Sequence, residues 1–154
     1  MRRSELAGLL AQMIDVPSPS GEEGAYADLV AGWLSGRGWD VQRQSVAPGR
    51  DNLLAVRGEP EVLFSTHLDV VPPHVPARIE GEMVFGRGAC DTKGCLLAMI
   101  EAAGRLSGPA AVRVGFLLVV GEEVDHCGAQ AAAELPLRPR GILLGEPTGN
   151  RMVR

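Results

Sequence analysis

The sequence predicts an α/β fold, a three-layer sandwich around a largely parallel mixed sheet. Three observations predict it. Two amphipathic helical stretches open the chain, and short apolar runs bounded by turn residues then take over. From residue 60 onward such runs alternate with helical stretches, as in parallel strands joined by helical crossovers.

Leu6, Leu9, Leu10, Met13 and Ile14 recur at helical spacing behind Ser4, a residue type favoured as an N-cap, and Pro17 stops that helix. Ser20-Gly21-Glu22-Glu23 has the form of a capping box. Tyr26, Leu29, Val30, Trp33 and Leu34 then form the apolar face of a second helix, closed by Gly36 and Gly38. Strands are expected around Val41 and over residues 53–56, 62–65, 83–85, 112–120 and 141–144, with another starting near Asn150. Helices are expected over 92–106, with Leu96, Leu97, Met99, Ile100 and Ala103 inward, and over 129–135. Aromatic residues are only 4% of the chain, so the core must rest on Leu, Val, Ile and Ala.

A chain of 154 residues makes one domain with a real core rather than two. A net charge of -4 with no basic run argues against nucleic acid as a partner. The longest apolar run, from Gly115 to Gly121, is too short to span a bilayer, and Glu5 and Asp15 break any signal-peptide core, so no membrane role is expected. The three cysteines, Cys90, Cys95 and Cys127, are odd in number and form no Cys-x-x-Cys pair. A disulfide framework and a cysteine zinc knuckle are both set aside, and a reducing cytoplasm is expected.

Chemistry gathers where apolar runs end. Residues 62–66 lead into His67-Leu68-Asp69, residues 116–120 into Gly121-Glu122-Glu123, and residues 142–144 into Gly145-Glu146-Pro147-Thr148. Asp91 lies in a glycine-rich loop, Gly86-Arg87-Gly88-Ala89-Cys90-Asp91-Thr92-Lys93-Gly94, before a helix. Taken singly, each has an ordinary reading: a hydrogen-bonded His-x-Asp pair, a solvated Glu-Glu pair, an aspartate N-cap, a turn. Together they make a different case. If the strands are parallel, the loops after them share one edge, where ligands of open α/β sheets collect. His67, Asp69, Glu122, Glu123 and Glu146, with Asp91 nearby, would repel strongly without cations among them. Imidazole with carboxylates suits zinc, with cobalt or manganese as substitutes.

These motifs, with Ser18-Pro19-Ser20-Gly21-Glu22 and His67-Leu68-Asp69-Val70-Val71-Pro72, resemble the family of acetylornithine deacetylase, succinyl-diaminopimelate desuccinylase, aminoacylase and glutamate carboxypeptidase. The resemblance runs along essentially the whole chain. It implies a zinc-peptidase-like catalytic domain of which residues 1–154 are the amino-terminal part, incomplete at the carboxyl end. It also implies two zinc ions: His67 and Glu146 on one, Asp91 bridging, Glu123 on the second. Glu122 would be the general base and Asp69 would orient the His67 imidazole. Family members insert a lid or dimerisation domain after this region, and a late histidine beyond it completes the second metal site. The implied substrate is an N-acyl amino acid, with the acetylornithine type favoured and a succinylated amino acid or dipeptide as the alternative. The full-length form would be a homodimer. A non-catalytic metal-binding module is the reading from a different class. His74 and His126 match no metal position of the family and are expected in exposed loops.

Overall fold

The computed structural model describes residues 2–149 and Arg151. Two helices, α1 (Arg3–Asp15) and α2 (Gly24–Ser35), precede the strands β1 (Asp40–Ala47), β2 (Arg50–Val56) and β3 (Val62–His67). The short strands β4 (Arg78–Glu80) and β5 (Met83–Phe85) follow, then α3 (Lys93–Gly104), α4 (Pro109–Val112), β6 (Val114–Val119), α5 (Cys127–Ala132) and β7 (Gly141–Leu144). The main sheet has the order β1-β2-β6-β3-β7. β3 lies parallel between β6 and β7, and the β2–β1 hairpin extends the sheet antiparallel from β6. β4 and β5 form a separate antiparallel ribbon.

The apolar run of β6 explains its central place. Phe116, Leu118 and Val120 pack with α1, α2 and α3 through Met13, Tyr26, Val30, Leu34, Leu96 and Ile100. Leu117 and Leu63 join Leu54 and Val119 on the opposite face, with Leu135 and Leu137 against them. Alternate side chains of a strand point to opposite faces, so a strand buried on both faces must be apolar throughout. Phe116 meets Trp39 and Phe64 edge to face, with ring centroids 4.9 and 5.7 Å away.

Several local expectations are corrected. Ser4 lies inside α1, which is capped from Arg2: its backbone N–H and guanidinium both donate to Glu5. The capping box at Ser20 does not form, because α2 starts at Gly24 and the Ser20 hydroxyl is taken by Asp69. Pro109, well placed in a first helical turn, starts the short α4, so β6 begins at Val114 rather than at residue 112. β4, exposed at all three residues, carries no apolar alternation that would announce it. The strand expected near Asn150 falls largely outside the described residues. Cys90, Cys95 and Cys127 are free. No helix among the described residues is long and apolar enough to cross a membrane.

Candidate metal centre

Because β3, β6 and β7 run parallel, the chain leaves all three at one edge of the sheet. His67 is the last residue of β3, Glu122 and Glu123 follow β6, and Glu146 follows β7. The loop before α3 brings Asp91 to the same place.

His67 is buried, and its Nδ1 lies 2.9 Å from the backbone oxygen of Asp69. A carbonyl can only accept, so Nδ1 carries a hydrogen, and whenever the ring is neutral the lone pair of Nε2 faces outward. Nε2 stands 3.1 Å from Asp91 Oδ1, 3.9 Å from Glu122 Oε2 and 4.0 Å from Glu146 Oε1. Burial opposes a charge on this ring, but the Asp69 hydrogen bond and the charges of Asp69 and Glu146 outweigh it. The imidazolium is held up to about 9.

Asp69 is fully buried and ties the edge together. Its Oδ1 accepts the Glu122 N–H at 3.0 Å, and its Oδ2 accepts the Glu123 N–H at 3.1 Å and the Ser20 hydroxyl at 2.6 Å. Burial raises its pKa, but bonds from His67, Ser20 and the two glutamate amides reverse this and hold the carboxyl well below the usual range. Its contact with His67 is made chiefly by the backbone oxygen, since Oδ1 is 3.4 Å from Nδ1.

Glu146 is set by its neighbour. The Gly145 N–H donates to Ser65 O, and the Gly145 carbonyl accepts from Thr66 Oγ1 and Thr92 Oγ1, each at 2.8 Å. Thr92 thereby ties the end of β7 to the loop carrying Asp91, across a cis peptide between Asp91 and Thr92. Behind that loop, the buried Lys93 ammonium donates to Met13 O at 3.0 Å and Val16 O at 2.7 Å, anchoring it to the end of α1.

The donor set fits a divalent cation. Ligand atoms of His67, Asp91 and Glu123 all lie within 4.8 Å of one another. Burial, joined by the charge of Asp91, raises the pKa of both Glu123 and Glu146, as crowding of carboxylates does. One imidazole nitrogen with carboxylate oxygens suits zinc, cobalt or manganese. His74 is exposed in a loop. His126 is also exposed, but its Nδ1 stands 3.9 Å from Glu122 Oε1, nearer the centre than the sequence suggests. Ser20, Thr66 and Thr92 were not legible as supporting residues, because hydroxyls in short motifs carry no mark of a distant partner. A cavity of about 490 Å³ opens beside the centre, lined by His67, Glu122, Glu146, Leu117, Ile142 and Leu144 among others.

Comparison with known proteins adds the following. Residues 63–153 match the model of peptidase family M20/M25/M40. A peptidase M20 domain-containing protein of Schizosaccharomyces pombe is 33% identical over 96% of this chain and 39% of its own length. A LysW-lysine hydrolase of Deinococcus radiodurans is 32% identical over 92% of this chain and 39% of its own length. A probable carboxypeptidase of Aspergillus clavatus is 32% identical over 97% of this chain and 38% of its own. The chain thus spans about two fifths of the length of the curated relatives it matches. The fold recurs in a tripeptidase of Staphylococcus aureus, with a TM-score of 0.76 at 21% identity over 94% of this chain and 43% of that one. It recurs also in a metallo-carboxypeptidase of Sulfolobus solfataricus, with a TM-score of 0.76 at 22% identity over 92% and 37%.

Proposed function

The chain belongs to peptidase family M20/M25/M40, and from that premise we propose that it is the metal-binding part of a hydrolase that cleaves the amide bond of an N-acyl amino acid or short peptide. The observation that carries this reading is the meeting of His67, Asp91 and Glu123 ligand atoms within 4.8 Å, with Glu122 and Glu146 beside them. His67 and Glu146 would hold one cation and Glu123 a second, with Asp91 a ligand shared by both. By the family resemblance, a late histidine beyond this segment would complete the second site.

When bound, the cations polarise the amide carbonyl and make water acidic enough to attack at neutral pH. Glu122 takes the proton of the attacking water and delivers it to the leaving amine, since an amide needs help at both ends. Asp69 does not touch substrate. It fixes the imidazole through its backbone oxygen and the two glutamates through its carboxylate, so that base and ligands keep their spacing. Substrates of the acetylornithine type come first. Relatives named for LysW-lysine hydrolysis and as carboxypeptidases support an amide with an amino acid on one side, and they keep succinylated amino acids and dipeptides as the alternative.

The test uses the full-length protein carrying this segment. Metal analysis is expected to find about two zinc ions per chain, and release of free amine from N-acetylornithine, N-succinyl amino acids or dipeptides should stop with a chelator. Zinc at full occupancy with no amine released from any of them would favour a non-catalytic metal-binding module.

A further inference from the structure

The two glutamates sit on a loop, residues 121–126, whose two ends are held by one buried side chain that belongs to neither the metal set nor the loop. Asn52 lies on β2, fully buried, just past the last β2–β6 pair, Leu53 with Leu118. Its Oδ1 accepts the Val120 N–H at 3.0 Å, where the loop begins. Its Nδ2 donates to the Gly128 carbonyl at 2.8 Å, where the loop ends, and to Gln44 Oε1 at 2.9 Å. Gln44, its cross-strand partner on β1, donates in turn to Ala131 O in α5.

Every polar atom of the Asn52 amide is therefore used, and its orientation is settled by chemistry. An N–H can only donate and a carbonyl can only accept, so oxygen must face Val120 and nitrogen must face Gly128. The neck between them is closed further by the Gly128 N–H, which donates to Val120 O at 3.0 Å. A side chain at Gly128 would collide with the Val120 backbone and with Asn52 Oδ1. Beyond the neck the loop is held at Asp69, which binds the N–H groups of Glu122 and Glu123. Clamp and hub together leave the glutamate pair little freedom.

We propose that Asn52 is a positioning residue for the metal centre, closing the neck of the 121–126 loop so that Glu122 and Glu123 are presented to the cations. It rests on the proposed role of Glu123 as a ligand and Glu122 as base. Asn52→Asp keeps the shape but replaces the donor to Gly128 and Gln44 with an acceptor. Its effect is read on the full-length protein carrying this segment in two ways: amide hydrogen exchange across 121–126, and cobalt affinity from visible absorption. Outer contacts of this kind typically set metal affinity by about 10–100-fold. The expected result is exchange at the Glu122 and Glu123 amides faster by about tenfold or more, with cobalt bound about tenfold more weakly and an altered visible spectrum. Val30→Ala, a core change in α2 away from the centre, should lower the melting temperature while leaving cobalt affinity and spectrum unchanged. Should Asn52→Asp fail to fold, Asn52→Ser, which shortens the reach without adding charge, carries the same expectation. Unchanged loop exchange, unchanged cobalt affinity, or an equal cobalt loss in Val30→Ala would each overturn the proposal. An unsubstituted full-length protein that binds no cobalt would instead overturn the metal reading, and the exchange arm would still decide whether Asn52 fixes the loop.

Discussion

At the scale of single residues, His67 commits Nδ1 to Asp69 O and leaves Nε2 for a cation. Its replacement should be felt in metal binding before anything else. His67→Ala is expected to abolish tight zinc binding, and His74→Ala, in an exposed loop, to leave it unchanged in isothermal titration; equal losses would sink the assignment. A proton competes for the same nitrogen. In the metal-free site the imidazolium persists up to about 9, so at lower pH zinc must displace a proton. Apparent zinc affinity should therefore rise with pH, about tenfold per unit, and level off once the ring is neutral. Titration in buffers of different ionisation enthalpy checks this, and an affinity flat from pH 6 to pH 9 would place the proton elsewhere. The proposed roles divide the adjacent glutamates between base and ligand. In the full-length protein, Glu122→Gln should keep its metal and lose about 10²–10⁴-fold in turnover or more, since one base serves two proton transfers. Glu123→Gln should lose metal occupancy instead. If metal content fell with Glu122→Gln and stayed with Glu123→Gln, the roles would have to be exchanged.

At the scale of elements, β6 carries both the core and the approach to the centre. Phe116 is fully buried between Trp39 and Phe64, and two residues past β6 the chain turns at Gly121 into the glutamate pair. Truncation there removes ring contacts that neighbours cannot refill, because Trp39 and Phe64 approach it edge-on from fixed positions. Phe116→Ala should cost about 3–5 kcal/mol in urea unfolding, while cobalt bound by the fraction still folded keeps its spectrum. A cost below about 1 kcal/mol would mean that the helical layer is not packed on this strand.

At the scale of the molecule, the sheet is unevenly covered. β7 pairs with β3 on one side, and no strand among the described residues pairs with its other side. Ile142, Leu143 and Leu144 are 54%, 52% and 67% exposed, so an apolar strand lies open at an edge. Such edges pair with other chains. The 154-residue chain purified by itself is expected to associate as concentration rises, and Leu143→Lys to shift it toward monomer in sedimentation velocity. It should also bind about one zinc ion tightly and hydrolyse N-acyl amino acids poorly, because Asp91 and Glu123 alone fall short of the three protein ligands usual at a catalytic zinc. Robust hydrolysis by a monodisperse monomer would refute both, and would make His126, already close to Glu122, the first candidate for the missing ligand.

Much of this is legible in the amino-acid sequence. Apolar periodicity located α1, α2, α3 and most of the sheet strands, because helix and strand place a buried face at different spacings. His67, Asp69, Asp91, Glu122, Glu123 and Glu146 stood out because each ends or begins an element, where an α/β fold puts its chemistry. Strand order was not legible. Periodicity says which face of a strand is apolar but not which strand lies beside it, and β1-β2-β6-β3-β7 departs from chain order. Nor could the supports be read: Ser20 looks like a helix cap and Asn52 like any polar strand residue, until folding brings Asp69 to the one and both ends of the 121–126 loop to the other. The sequence by itself determined which residues are candidates for the chemistry, because their types and local positions are written in it. Only the tertiary structure decided how they are held, because a hydrogen bond between residues far apart in the chain leaves no periodic trace in either.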